Sequence, residues 1–226
     1  MILQKLPNWL LVSVFLLATN AGMINVMGLL TALHQSISHM TGNVSMLATA
    51  IYQHEWEHVG FLILVVACYV IGSLYSGYIL GSGTPKIGRR YGYPLALVTL
   101  FIIFSWMASP YFPRYGLLWA ATAMGVQNAM MSHYGGTIIR TTHLSGVLTD
   151  LGLAFGYMLR GLNVERRRLL LHGLILLGFL LGGLIATIVY QYWLLNAFLL
   201  PAILSFVMTM VYWIVYWRLH STERKR

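Results

Sequence analysis

Two short polar motifs interrupt an otherwise apolar sequence and hold most of the residues that could do chemistry. The first is "SHMTGN" (38–43) and the second is "THLSGVLTDLG" (142–152). Each has a histidine followed by a hydroxyl residue and a glycine, a composition typical of a capped helix start. The free N–H groups and partial positive charge of a helix start favour an anion or the negative end of a dipole. The motifs therefore predict two helix starts that together form one binding site.

The hydroxyl and histidine side chains of the two motifs are the first candidates for this site. Thr41 and Ser145 are the predicted N-caps, and the glycine after each cap lets another backbone approach closely. His39 and His143 precede the caps, where a histidine can bind substrate or make a structural hydrogen bond to a loop carbonyl. Structural roles are expected for three histidines without a counterpart, His34, His133 and His172.

Three amides lie in otherwise apolar segments near the motifs. Asn25, Gln127 and Asn128 are expected either to tie helices together or to line a polar site, and the similar placement of Asn25 and Asn128 favours the site. The predicted substrate-binding set is His39, Thr41, Gly42, Asn43, His143, Ser145, Gly146, Thr149, Asn25, Gln127 and Asn128.

Asp150 is the one acidic residue deep inside an apolar segment. A carboxylate at such a position is costly, so it faces a cavity, pairs with another group or carries a proton. The sequence therefore indicates proton coupling or substrate contact at Asp150, with a hydrogen bond to Asn25, Gln127 or Asn128 as the structural alternative. Its counterpart in the first motif is Met46, so this acid belongs to one motif only.

A rival motif, "HEWEH" (54–58), fits H-E-x-x-H. In that pattern His54 and His58 would bind zinc and Glu55 would act as general base. The motif lies at a short connection between apolar segments, and no third ligand is evident nearby. A solvated loop is therefore the favoured interpretation, and a membrane zinc metallohydrolase is kept as an alternative function.

Composition defines the class of protein that must position these residues. The chain is 58% hydrophobic and 8% charged over 226 residues, with apolar runs such as 9–33 and 59–81 that exceed a membrane-spanning length. The net charge of +9 comes from Lys and Arg clustered between apolar segments and at the C-terminus, not from a basic soluble face. We therefore expect an integral membrane protein that binds no nucleic acid.

The sequence repeats, because three pairs of similar segments occur in the same order in both halves. They are 18–27 with 121–130, 38–44 with 142–148, and 72–74 with 182–184. Each half is predicted to contain a long helix, a short helix and two more long helices within a single membrane domain, 1–226. The predicted bounds are 9–33, 41–53, 59–81 and 94–109 in the first repeat (9–109), and 115–137, 145–160, 169–190 and 195–217 in the second (115–217). Close helix packing is predicted at three glycine pairs, Gly77/Gly81, Gly152/Gly156 and Gly178/Gly182.

The positive-inside rule predicts whether the short helices cross the membrane. The first is about 20 Å long, less than the roughly 30 Å of a hydrocarbon core. If both short helices are re-entrant, all Lys and Arg except Arg114 are cytoplasmic, and so are both termini. Each half then has three crossings, so the halves are inverted. The expected fold is an all-α polytopic membrane protein with six transmembrane helices and two re-entrant half helices, arranged as two inverted repeats.

The two polar motifs, together with "GVQNA" (125–129), resemble the YoaK-like family of bacterial membrane proteins, whose function is unknown. The resemblance extends over nearly the whole chain. The family usually has Thr-Gly in the second motif, where this sequence has Ser145 and Gly146, which keeps the hydroxyl. The resemblance implies six spans and a location in the bacterial inner membrane. It implies no substrate.

These observations predict a small secondary transporter rather than an enzyme. Its substrate would be a small anionic or polar solute, bound between the two half-helix N-termini, with proton coupling through Asp150 as an option. No cofactor or metal is expected. The expected partners are the solute or ion and the lipid bilayer, and homo-oligomerisation is left open. A channel or a non-transporting partner protein is a further alternative.

Overall fold

The protein is described by a computed structural model over residues 8–31, 34–81, 89–135 and 140–223. Within these ranges the regular secondary structure is entirely helical, and the order of long, short, long and long helices occurs twice. The helices are α1 (Asn8–Leu30), α2 (Met40–Tyr52), α3 (Trp56–Leu80), α4 (Arg89–Ala108), α5 (Pro113–Gly135), α6 (Leu144–Leu159), α7 (Arg166–Trp193), a 3-10 helix (Leu194–Phe198) and α8 (Leu199–Glu223).

Several of these helices suit insertion into a membrane. Four segments of the described chain are long and apolar enough to span one: Trp9–Leu30, Trp56–Leu80, Tyr91–Ala108 and Arg166–Leu219. The last segment contains two consecutive helices, α7 and α8. The remaining long helix, α5, is buried throughout residues 120–128, so its polar side chains face protein. The chain is thus an all-helical protein with several apolar helices, as its composition predicts.

The short helices have the lengths expected from the sequence. With 13 residues α2 is about 20 Å long, and with 16 residues α6 is about 24 Å long. Both are shorter than a hydrocarbon core of about 30 Å.

The first long helix of each half packs against the third helix of the other half, α1 against α7 and α5 against α3. Glycines let these backbones touch. A Cβ atom on Gly22 of α1 would collide with the carbonyl oxygen of Phe179 on α7. In the same way, a Cβ atom on Gly125 of α5 would collide with the carbonyl oxygen of Tyr69 on α3.

In the same two helix pairs, the partner helix also contributes a glycine to the contact. A Cβ atom on Gly182 of α7 would collide with the carbonyl of Thr19, and one on Gly72 of α3 would collide with the carbonyl of Thr122. Each of these glycine contacts is therefore made again with the roles of the two halves exchanged. Such reciprocal contacts are characteristic of a two-fold relationship.

The fourth helices of the two halves, α4 and α8, pack against each other. The hydroxyl oxygens of Thr99 on α4 and Thr209 on α8 are 2.8 Å apart and share a hydrogen bond. Both hydroxyls are also within hydrogen-bonding distance, 3.2 Å, of the carbonyl oxygen of Leu95.

One pair of equivalent contacts is unequal. Helix α4 packs extensively against α5, whereas the corresponding pair, α8 and α1, makes only a slight contact. The two halves therefore share their topology and their glycine contacts but differ in how their last helices are placed.

Of the three predicted glycine pairs, one lies in a helix contact. Gly178 and Gly182 both face α1, at Phe15 and Thr19. The prediction of close packing is wrong for the other two pairs, because no atom of the described residues lies within 4 Å of a Cβ atom built on Gly77, Gly81, Gly152 or Gly156.

We expect Gly72→Ala to destabilise the protein and Gly77→Ala, on the same helix, to be neutral or slightly stabilising. The added methyl group at position 72 meets the backbone of α5, and overpacking of this kind costs about 1–3 kcal/mol. At position 77 the methyl group meets no atom and alanine is the better helix former. Unfolding of the two variants in detergent, followed by circular dichroism, measures the difference, and equal stability would contradict the glycine contact.

Candidate functional site

The residues just before α2, 34–39, lie back along α1. The backbone N–H of Gln35 donates to the carbonyl of Gly28 at 3.1 Å. The side-chain oxygen of Asn25 accepts hydrogen bonds from the hydroxyls of Ser36 and Ser38, at 2.8 and 2.9 Å, and from the N–H of Ser38 at 3.0 Å. Asn25 is therefore the anchor that positions the start of α2.

The second half has the same arrangement at the start of α6. The amide of Asn128 donates to the hydroxyl of Thr142 at 2.6 Å and to that of Tyr69 at 2.9 Å. The neighbouring amide of Gln127 donates to the hydroxyl of Thr141 at 2.9 Å. The three amides predicted from the sequence thus hold the two motifs in place by hydrogen bonds.

These anchors lie well inside the long helices. At 1.5 Å per residue, Asn25 is about 8 Å before the end of α1, and Asn128 is about 11 Å before the end of α5. Both short helices therefore begin alongside the body of a long helix rather than beyond its end.

The N-caps of the short helices are His39 and His143, so the prediction that Thr41 and Ser145 are the caps is wrong. The two histidines have nearly the same conformation, with φ −93° and ψ 73° in one and φ −92° and ψ 65° in the other. Because each loop is anchored to a long helix, the helix begins two residues earlier than the positions of Thr41 and Ser145 predicted. Thr41 and Ser145 consequently lie in the first turns, where both are exposed.

Each cap histidine places its ring over the first turn of its own helix. A Cβ atom on Gly42 would collide with the imidazole of His39, and one on Gly146 would lie 2.6 Å from Nδ1 of His143. The space that each glycine provides is therefore filled by an imidazole rather than by another backbone. Both imidazoles remain exposed.

The remaining motif residues are split between the interior and the surface. Asn43 is fully buried and bonds to the preceding loop, receiving a hydrogen bond from Gln35 at 2.5 Å and donating to the carbonyl of Ser36 at 2.9 Å. Thr149 is exposed, and its hydroxyl donates to the carbonyl of Ser145 at 2.9 Å.

Asp150 pairs with α7, not with the amides that the sequence offered as its partners. One carboxylate oxygen accepts a hydrogen bond from Arg168 at 3.0 Å, and the other lies 3.4 Å from Nε2 of His172. Sequence reasoning assigned His172 a structural role and did not place it beside Asp150, because only the packing of α6 against α7 brings this residue, which is 1% exposed, to the carboxylate. Its spacing from Arg168, one helical turn, was the available signal.

A second missed cluster lies where α1, α5 and α8 meet. The amide of Asn20 donates to the hydroxyl of Ser205 at 3.0 Å and lies 3.5 Å from the side-chain oxygen of Gln127. All three side chains are buried, and the oxygen of Asn20 has no hydrogen-bond partner. Asn20 and Ser205 have no similar counterpart in the repeat, so the repeat comparison did not select them.

Two of the histidines expected to be structural make bonds that suit that role. His133 lies 2.6 Å from the hydroxyl of Tyr91 and 3.0 Å from the carbonyl of Gly81. His34 lies 3.0 Å from the carbonyl of Leu29.

The "HEWEH" motif does not lie on one helix. His54 is in the turn before α3 with φ 58°, Glu55 is the N-cap of α3, and His58 is in its first turn. An H-E-x-x-H zinc site needs both histidines on one helical face. Among the residues described, no three His, Cys, Asp or Glu side chains are grouped to hold a metal. The motif borders an open cleft of about 350 Å³ lined by Glu55, Trp56, Glu57, His58, Phe61 and Arg114.

The candidate residues form two groups of equivalent construction. One is built on α1, α2 and α3, and the other on α5, α6 and α7. Among the described residues α2 packs on α3 and α6 on α7, and α2 makes no extensive contact with α6. The single site between both helix starts stays a prediction.

The long apolar helices, which bury polar amides, indicate an α-helical membrane protein. The chain belongs to a family described as protein of unknown function (DUF1275), whose sequence model matches residues 13–211. This confirms the resemblance to the YoaK-like family, since YoaK is a member of DUF1275. No curated protein and no solved structure matches the chain.

We expect Asn25→Leu to destabilise the protein by about 1–3 kcal/mol, the cost of leaving buried polar groups without a partner. The variant removes the acceptor of the bonds from Ser36 and Ser38. Thr41→Ala, in the exposed first turn of α2, is the control and should have little effect. Thermal unfolding in detergent measures both, and an unchanged Asn25 variant would show that the anchor is dispensable.

Proposed function

We propose that this protein is a small secondary transporter of the bacterial inner membrane, built from two inverted repeats. Each repeat would have three spans and one re-entrant half helix. The observation that carries this proposal is the reciprocal packing of two halves in which one pair of equivalent contacts is unequal, α4 with α5 against α8 with α1.

The local geometry of the motifs supports the re-entrant arrangement. Both short helices are too short to span a bilayer, and both begin beside the body of a long helix, at Asn25 and Asn128. With the short helices re-entrant, each half has three crossings. Two halves with an odd number of crossings, joined in one chain, are inverted relative to one another. Both termini are then cytoplasmic.

The unequal helix pair supports alternating access. In inverted-repeat transporters the two repeats adopt different conformations, and exchanging these conformations opens the site to the other side. Here α4 is closed against α5 while α8 is only loosely placed against α1. The exchanged state would close α8 against α1 and release α4 from α5. A polar cluster, Asn20 and Ser205, lies buried at the loose seam.

The helix starts favour a small anionic or polar solute. His39 and His143 cap the two half helices with exposed imidazoles, and Thr41 and Ser145 present exposed hydroxyls in the adjacent first turns. The free N–H groups of helix starts favour negative charge. Flux in liposomes, with and without a proton gradient, separates the alternatives. Accumulation against a gradient favours the transporter, purely downhill flux favours a channel, and stoichiometric zinc with hydrolysis favours the metallohydrolase.

Inverted repeats predict that equivalent loops lie on opposite sides of the membrane. With Cys68 replaced by alanine, cysteines introduced at Trp56 and at Leu162, both exposed, should react with an impermeant thiol reagent from opposite sides. Trp56→Cys should react from outside and Leu162→Cys from the cytoplasm.

Permeabilised membranes are the control, since both positions should then react. If each short helix crossed the membrane, every half would have four crossings and the two loops would be on the same side. Labelling of both from one side would therefore disprove the inverted arrangement.

Alternating access predicts that tying α4 to α5 stops transport. Phe101 and Trp119 stack across this contact with ring centroids 5.7 Å apart. In the Cys68→Ala background, Phe101→Cys with Trp119→Cys should lose solute flux when a bifunctional thiol reagent links them and regain it after reductive cleavage. Each single variant treated with the same reagent is the control. Full flux in the cross-linked protein would contradict a release of α4 from α5.

A further inference from the structure

The contact between α6 and α7 contains a group of ionisable side chains. Asp150 accepts a hydrogen bond from Arg168 through one oxygen, and its other oxygen faces Nε2 of His172 at 3.4 Å. The side chain of His172 is 2% exposed, whereas that of Asp150 is 31% exposed. Within the described part of the chain, Nε2 of His172 has no hydrogen-bond partner. A buried, unpartnered ring nitrogen therefore points at a carboxylate that water can reach.

The first half shows that this helix contact does not need ionisable groups. At the corresponding contact between α2 and α3, the buried cluster is apolar and includes Leu62, which is 0% exposed. His172 takes the place of Leu62 in the second half, and Asp150 takes the place of Met46. The surrounding residues keep their type, since Leu47 and Ala50 correspond to Leu151 and Ala154.

Among the residues that the structure describes, the charges that face His172 come from two helices. Asp150 faces it from α6 and Arg168 from one turn earlier on α7. The third helix packed along α7 is α1, whose sequence contains no ionisable side chain. The Asp150 carboxylate already accepts a hydrogen bond from the cationic Arg168. The group of this pair that still lacks a hydrogen-bond partner is therefore Nε2 of His172.

We infer that Asp150 and His172 form a proton-binding site, in which the proton is held on His172 and Asp150 is its counter-charge. The part of this inference that makes the pair the coupling site of transport rests on the proposed function. A proton from water reaches the site past the part-exposed carboxylate and binds the lone pair of Nε2. The new N–H then donates to the free oxygen of Asp150 as a charge-assisted hydrogen bond. Protonation ties the second half helix to α7, and release of the proton to water loosens it.

Nuclear magnetic resonance of the full chain in detergent, with ¹⁵N-labelled histidine, tests the site without any substrate. His172→Leu assigns the resonances and installs the residue that the first half has at this position, so the fold is expected to be kept. The wild-type His172 signals should change from neutral imidazole to imidazolium between about pH 8 and pH 5. In Asp150→Asn they should stay neutral over the same range. Wild-type signals that stay neutral, or an Asp150→Asn variant that titrates as wild type does, would overturn the inference.

Flux in liposomes separates this inference from the proposed function. His172→Leu should lose the component of uptake that a pH gradient drives, whereas His34→Gln, at an exposed loop histidine, should keep it. Gradient-driven uptake that persists in His172→Leu overturns the coupling role and leaves the transporter standing. A titrating, Asp150-dependent His172 in a protein that transports no solute supports the proton site and counts against the transporter.

Discussion

Direct contact between helix backbones is the interaction on which the remaining structure depends. At Gly22 and Gly125 the absence of a side chain lets a carbonyl of the other half lie where a Cβ atom would be. A hydrocarbon solvent gives apolar helices no hydrophobic reason to associate, so close packing of small residues must supply much of the attraction. Because the same contact is made twice, with the halves exchanged, it fixes α1 on α7 and α5 on α3 together. The positions of the two short helices depend on those of the four long helices α1, α3, α5 and α7.

The sequence predicts the helices well because their signals are local. Long apolar runs, charged connections and the repeated order of segments are visible without any tertiary contact, and the short helices differ from their predicted bounds by a single residue. Helices α4 and α8 are the main exceptions. Helix α8 runs from Leu199 to Glu223, beyond the predicted end at residue 217, and α4 begins at Arg89 and carries Pro94 inside it rather than starting at that proline. Pro94 is the sixth residue of the helix, so its missing N–H leaves out the hydrogen bond that would otherwise go to the carbonyl of Arg90.

The candidate site residues could be predicted where they occur at matching places in the two halves. They could not be predicted where only tertiary packing brings them together. Asn25 and Asn128 stand out as amides at matching places in apolar helices, and both prove to anchor a motif. His172 carries no such mark, because its counterpart is a leucine. The N-caps were predicted at the wrong residues for a related reason. Thr41 was chosen because threonine is common at N-caps, but the hydrogen bonds between the loop and Asn25 determine where α2 begins.

The hydrogen bond between Thr99 and Thr209 joins two residues at equivalent places in the two halves. A contact such as that of α4 with α5 has its counterpart elsewhere, in α8 with α1, and the proposed exchange of conformations would replace one by the other. A bond between two equivalent residues is its own partner, and either hydroxyl can be the donor. It can therefore persist unchanged while the contacts around it are traded. In the proposed exchange, the crossing of α4 and α8 would then stay in place while the helices on either side of it move.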